Sequence, residues 1–127
     1  LTDALRSKAL PLFHSAGTTS EGQLGDNTTT TRVTARQIKT GYTFSAVSAG
    51  DRHTLMLETD GDLWVTGRNY EGQLGTGSEN GRSVPYNILT GVKAISCWSY
   101  HSVAVKSDGN AWAAGDNVGG RLGDGTT

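Results

Sequence analysis

The sequence predicts an all-β fold, a β-propeller fragment of about two and a half four-stranded antiparallel blades. Three observations carry this. Eighteen glycines against two prolines separate short runs rich in Val, Thr, Trp and Tyr, a composition of strands and turns. The segment "EGQLG" at 21–25 recurs at 71–75, and "GGRLG" at 119–123 is a third, altered copy, giving spacings of 50 and 48 residues. Between the copies, runs with period-two apolar alternation flank an Asp-Gly pair, the hairpin signal.

The elements follow in order within one unit. "SAVSA" (45–49) and "KAISC" (93–97) read as first strands, "HTLMLE" and "HSVAVK" as second strands. Thr59-Asp60-Gly61 and Ser107-Asp108-Gly109 turn the chain, because glycine accepts positive φ at little cost. "DLWVT" and "NAWAA" return as third strands, and "PYNIL" after Pro85 fits a fourth strand at the blade edge, where a residue without an N–H is tolerated. Over the longer stretch, "GDRHTLMLETDGDLWVTG" aligns with "WSYHSVAVKSDGNAWAAG", pairing His53 with His101, Trp64 with Trp112 and Gly67 with Gly115. Gly25, Arg32, Ile38 and Thr40-Gly41 likewise match Gly75, Arg82, Ile88 and Thr90-Gly91. The glycines at 72, 75 and 77 therefore mark a recurring turn. The segmentation is residues 1–12 as a lead-in or degenerate blade part, 13–44 as a partial blade, 45–91 as a complete blade and 92–127 as a partial blade.

The order Gly-x-x-His, apolar strand, Asp-Gly turn, aromatic strand, Gly-Gln-Leu-Gly resembles the regulator of chromosome condensation repeat family over roughly residues 13–127. The family often carries a tryptophan just before the glycine that ends the third strand; here those positions are Ala16, Thr66 and Ala114. Family propellers close with about seven blades, so the resemblance implies a remainder beyond this chain. A blade cannot bury both faces alone. The expectation is part of a longer propeller, or several copies that close one together through their exposed edges.

The chemistry-bearing signals are few. Glycines 75, 77 and 81 lack dinucleotide spacing, and no phosphate-loop pattern is present. His53 and His101 hold equivalent places in neighbouring units and read as structural histidines. Asp60 and Asp62 lack the remaining ligands of a calcium loop and read as turn residues. The single Cys97 excludes an internal disulfide and, aligned with Ala49, reads as a small inert side chain. Asn27-Thr28-Thr29 is an N-glycosylation pattern only for a protein secreted by a eukaryotic cell. No cofactor or metal is expected, and no catalytic role. A net charge of −1 without a run of one sign gives no footprint for nucleic acid, and no apolar run reaches the roughly 18 residues of a membrane-spanning helix.

The informative positions are those that vary while their neighbours repeat. The loop before the second strand and the loop after the third lie on one rim, opposite the Asp-Gly hairpins. On that rim stand Asp51, Arg52, Ser99 and Tyr100, joined by Arg68, Asn69, Tyr70, Asp116, Asn117 and Val118. This aromatic, arginine and carboxylate set suits a protein-binding face; ordinary solvated loop tips are the alternative. Among members of the family, "GDRHT" is similar to a plant ultraviolet-B photoreceptor motif, with Asp51 in place of its tryptophan. In secreted β-lactamase inhibitors of this class an aromatic residue before the blade histidine meets the partner, a place taken here by Tyr100. The expected function is a noncatalytic propeller module that binds another protein through one rim. The alternatives are guanine nucleotide exchange on a small GTPase, which the family's name suggests, and a structural part of a secreted, surface or virion assembly.

Overall fold

A computed structural model describes residues 2–6, 13–39 and 41–127. Among the described residues the chain forms ten antiparallel strands and no helix, so none long and apolar enough to cross a membrane. The strands are β1 (Thr2–Arg6), β2 (Phe13–Gly17), β3 (Arg32–Lys39), β4 (Phe44–Ala49), β5 (His53–Glu58), β6 (Leu63–Gly67), β7 (Arg82–Leu89), β8 (Val92–Trp98), β9 (His101–Lys106) and β10 (Ala111–Gly115). They make three sheets, β1-β2-β3, β4-β5-β6-β7 and β8-β9-β10, each an antiparallel meander.

The central sheet is the complete blade. His53 pairs with Gly67, and the register runs on to Leu57 opposite Leu63 across the Asp-Gly turn. Alternation along β5 sends Leu55 and Leu57 to one face and Met56 to the other, and both faces are buried. Leu55 and Leu57 join Leu63, Val65, Leu74, Val92 of β8 and Ala104 of β9 in one apolar cluster. Met56 and Phe44 form a second cluster with Ile38, Tyr42, Val47 and Trp64, where the Trp64 ring meets Tyr42 edge-on at 5.3 Å. Each fully buried Leu or Met contributes about 1.5–3 kcal/mol, so stacking of sheets, rather than any one sheet, holds the fold.

The fourth strand is longer than the sequence suggests. It starts at Arg82, three residues ahead of Pro85, and a register shift between Val65 and Gly67 lets the strand bulge around the proline. Of the lead-in 1–12, Thr2–Arg6 is β1 of the first sheet, while residues 1 and 7–12 lie outside the described residues. Thr2 pairs with Gly17 as His53 pairs with Gly67, which makes β1 the counterpart of β5. A threonine therefore stands where the other units have their histidine.

The glycine that ends each third strand sits hard against the start of the second strand in its own sheet and close to the turn of the sheet before it. Gly67 has φ 111°, and a Cβ there would lie 2.4 Å from the Arg52 carbonyl oxygen and 3.1 Å from the Gln23 Cβ of the neighbouring sheet. Gly115 repeats this against Tyr100 and Gln73. Gly77 also has positive φ but faces open space. Gly67→Ala is expected to cost about 3 kcal/mol or more in urea unfolding, and Gly77→Ala only about 1–2 kcal/mol, the left-handed backbone term without the clash.

Candidate functional site

The rim is built on a hydrogen-bonded frame that recurs between neighbouring sheets. Thr54 of β5 donates its hydroxyl to the Gln23 carbonyl at 2.8 Å, and Ser102 of β9 donates to the Gln73 carbonyl at 2.7 Å. In each case the second residue of a second strand holds the Gln-Leu-Gly turn of the sheet before it. His53 Nε2 lies 2.9 Å from the Ser102 oxygen. Since the only Ser102 proton is used on Gln73, Nε2 carries the donating proton. Thr66, where the family often has a tryptophan, lies with its hydroxyl oxygen 2.9 Å from the Gly22 carbonyl and 2.7 Å from the Arg82 carbonyl, which share its one proton.

The Gln-Leu-Gly turn needs positive φ at both of its glycines, 73° at Gly72 and 66° at Gly75. One side chain ties the turn to the loop that follows it. Asn69 accepts the Leu74 N–H at 2.8 Å and donates to the Thr76 hydroxyl and to the Ser78 and Asn80 carbonyls. Asn117 accepts the Leu122 N–H at 3.0 Å in the same way, and Thr19 takes the place in the first sheet. This corrects the expectation for Asn69: it is fully buried, and all its amide bonds turn inward, so it shapes the rim and does not face a partner.

The remaining rim residues come together across sheet boundaries. The Arg68 guanidinium lies over the Tyr70 ring at 4.9 Å and over the Tyr100 ring of the next sheet at 5.2 Å. Glu71 holds that guanidinium through both of its carboxylate oxygens, at 2.5 and 3.2 Å. Ser99 bonds the Asp51 carboxylate at 3.2 Å while its carbonyl accepts the Asp51 N–H. Arg52 reaches back to Glu21 of the first sheet at 3.3 Å. Asp116 pairs with Arg121 at 3.0 Å and caps the Val118 N–H, leaving the Val118 side chain 69% exposed. Tyr70 is 62% exposed. The sequence reading missed Trp98, which ends β8 two residues before Tyr100 and is 74% exposed. Its signal was the alignment of a tryptophan with Gly50.

The electrostatics of this region separate frame from surface. Burial is the main cause that pulls His53 down to about 4; His101 adds to it, and Asp51 and Glu71 oppose it. Its Nδ1 is buried without a partner, so a second ring proton would be a buried donor with nothing to meet. For Glu71, partial burial pushes upward but is outweighed by the Arg68 and Gln73 hydrogen bonds, and the carboxyl sits below its ordinary value. Burial pushes the Cys97 thiol up to about 11, against the smaller lowering effect of its Ser48 hydrogen bond, and this burial suppresses thiolate chemistry. The carboxylates of Glu58, Asp60 and Asp62 lie within 4.8 Å of one another on the opposite rim. Two of them are engaged locally, Glu58 by the Trp64 indole N–H and Asp60 by the Asp62 N–H.

The regulator of chromosome condensation (RCC1) repeat model matches residues 37–73 and 92–121, and a second model of the same repeat matches 60–105. The chain belongs to the RCC1 repeat family. Among curated relatives, human probable E3 ubiquitin-protein ligase HERC4 is 37% identical over 69% of the chain, and mouse X-linked retinitis pigmentosa GTPase regulator is 36% identical over 61%. The chain spans 8% of the length of each. Yeast RCC1 (Prp20) has the same fold in two solved structures. One, bound to Kap60, has a TM-score of 0.88 at 22% identity; the other, from Saccharomyces cerevisiae, has 0.83 at 24%. Each comparison covers 99% of this chain, and 32% and 34% of the yeast chains. The RCC1 repeat thus accounts for the glycine turns, the strand order and the stacking of sheets.

Two measurements test the frame. The folded-state value of about 4 for His53 lies below the ordinary 6.5, so the native protein binds fewer protons than the unfolded chain. Stability is therefore expected to fall by roughly 3 kcal/mol as pH drops from about 6.5 towards 4, and His53→Gln should remove that share of the slope in urea unfolding at stepped pH. Asn69→Ala should cost about 2–4 kcal/mol by the same assay, since several buried partners lose their bonds together.

Proposed function

We propose that this RCC1-repeat chain is a noncatalytic module that binds another protein through the rim carrying Tyr70, Arg68, Tyr100 and Trp98, with Asp51, Arg52, Ser99, Asp116, Asn117 and Val118 around them. The observation that carries the reading is the Arg68 guanidinium seated over tyrosines of two adjacent sheets and held by Glu71. A surface anchored this way presents aromatic rings with little freedom left to lose, the condition under which Tyr, Trp and Arg contribute most on binding. Support also comes from the partners of yeast Prp20, studied with Kap60, Gsp1p and histones, all of them proteins.

A second reading is action on a GTPase, favoured by the mouse relative's being a GTPase regulator. Surface plasmon resonance against Gsp1p, histones and Kap60 tests the first reading, and nucleotide release from a purified small GTPase tests the second. Binding to at least one of these proteins should weaken about tenfold or more in Tyr100→Ala and in Arg68→Ala, while Asp108→Asn on the opposite rim leaves it unchanged. Equal affinity in all three variants would refute the rim assignment. Faster nucleotide release that survives both rim changes would move the activity to another surface.

A further inference from the structure

Of the six asparagines in the chain, Asn80 alone is followed by glycine. Asn80 and Gly81 lie in the loop between β6 and β7, and both are exposed. This exposure belongs to the loop itself: the corresponding Thr30 and Thr31 of the first unit are exposed too, although their loop is bonded to the second sheet through the Asn27 N–H and the Ser83 carbonyl. Among the described residues, neither the Asn80 side-chain amide nor the Gly81 N–H enters a hydrogen bond. Packing also demands glycine at 81, since a Cβ there would lie 2.9 Å from the Gly67 carbonyl oxygen. The nitrogen therefore has no side chain beside it to shield it.

The Asp-Gly pairs of the hairpins are built the other way. The Gly61 N–H donates to the Glu58 carbonyl at 3.0 Å and the Gly109 N–H to the Lys106 carbonyl at 2.9 Å, while the Asp60 and Asp108 carboxylates accept the amides two residues on. Nucleophile and electrophile are both occupied in those turns, and both are free at Asn80-Gly81. The Asn80 carbonyl does accept a bond from Asn69 Nδ2 at 3.1 Å, which polarises the peptide that follows and makes the Gly81 N–H more acidic. We infer that Asn80 is a site of spontaneous modification, closing on the Gly81 nitrogen to a cyclic imide that reopens in water chiefly as isoaspartate. In the first step the Gly81 nitrogen gives its proton to water and bonds to Asn80 Cγ; the Cγ–Nδ2 bond breaks, and Nδ2 takes a proton and leaves as ammonia. In the second, water adds to the α-carbonyl and breaks its bond to the Gly81 nitrogen, which stays joined to Cγ and regains a proton. A carboxylate is left on Cα, and the main chain, now running through Cβ, is longer by one carbon–carbon bond, about 1.5 Å. That bond falls between two held points, the Asn80 carbonyl at Asn69 and Arg82 paired with Gly67, so one of the two has to be released.

The test follows the purified chain in mildly alkaline buffer without denaturant, with samples digested at acid pH for mass spectrometry. Fragment ions are expected to show residue 80 gaining about 1 Da at least about tenfold faster than any other asparagine, and protein isoaspartyl methyltransferase should place a methyl group from S-adenosylmethionine on the same residue. Asn80→Thr, which copies the first unit, should abolish both signals. Equal rates at Asn80 and the other asparagines, a mass gain without methyl acceptance, or isoaspartate arising first at Asp60 or Asp108 overturns the inference. In the converted chain, hydrogen exchange should be at least about tenfold faster than in Asn80→Asp, which adds the charge without the extra bond, either at the Leu74 amide held by Asn69 or at the Gly67–Arg82 end of the β6–β7 ladder. Unchanged exchange at both places overturns the structural consequence.

Discussion

A single side-chain hydroxyl, given by β5 and again by β9 to a main-chain carbonyl of the preceding sheet, sets the spacing on which the rest of this molecule depends. Thr54 reaches Gln23 and Ser102 reaches Gln73. These bonds fix where the Gln-Leu-Gly turn lies, and the turn drops Leu74 into the cluster between sheets. The glycines at 67 and 115 leave room for this contact, since a side chain there would strike the start of the second strand in its own sheet and crowd the turn of the sheet before it. Polar satisfaction and apolar burial are thus achieved by the same contact, and neither can be lost without the other.

The rim inherits its order from that frame. Asn69 closes the turn from within, Glu71 leaves the turn to grip Arg68, and Arg68 spreads over Tyr70 and Tyr100. Cation–π contacts at exposed sites stabilise by only about 0.5–1 kcal/mol each, too little to hold the fold. Their effect is to restrict two aromatic side chains and join loops from two sheets into one surface. Stability therefore sits in the interior hydroxyl and leucine contacts, while the rim can change its residues at small cost to the fold. That division agrees with the repeat itself, which keeps the strand-ending glycines 17, 67 and 115, the turn glycines 25, 75 and 123 and the turn leucines 24, 74 and 122, and varies at 51, 52, 99 and 100.

Much of this was legible in the sequence because each unit states its own punctuation. The second strands fall at His53–Glu58 and His101–Lys106, where alternation and the Asp-Gly pairs put them. The start of β7 was hidden, since Pro85 reads as a strand boundary and the bulge that tolerates it has no sequence mark. β1 was hidden because Thr2 replaces the histidine that identifies a second strand. Asn69 was misplaced for a different reason. It varies between units, as surface residues do, yet Thr19 and Asn117 do the same work by the same hydrogen bond, so its variation is between chemically equivalent acceptors. Trp98 is hard to read as a surface anchor because a glycine occupies its position in the preceding unit.

Recognition between blades through a carbonyl has a consequence for how such a chain can grow. The second and third units each bring both halves of the contact, a hydroxyl on the second strand and a carbonyl in the turn, and the carbonyl belongs to whatever residue stands there, glutamine at 73 or arginine at 121. Duplication of one unit in a gene would insert a donor and an acceptor already matched to their neighbours. The array can lengthen, shorten or exchange units by recombination without new complementarity having to arise, and the loops that meet partners are free to diverge in each copy.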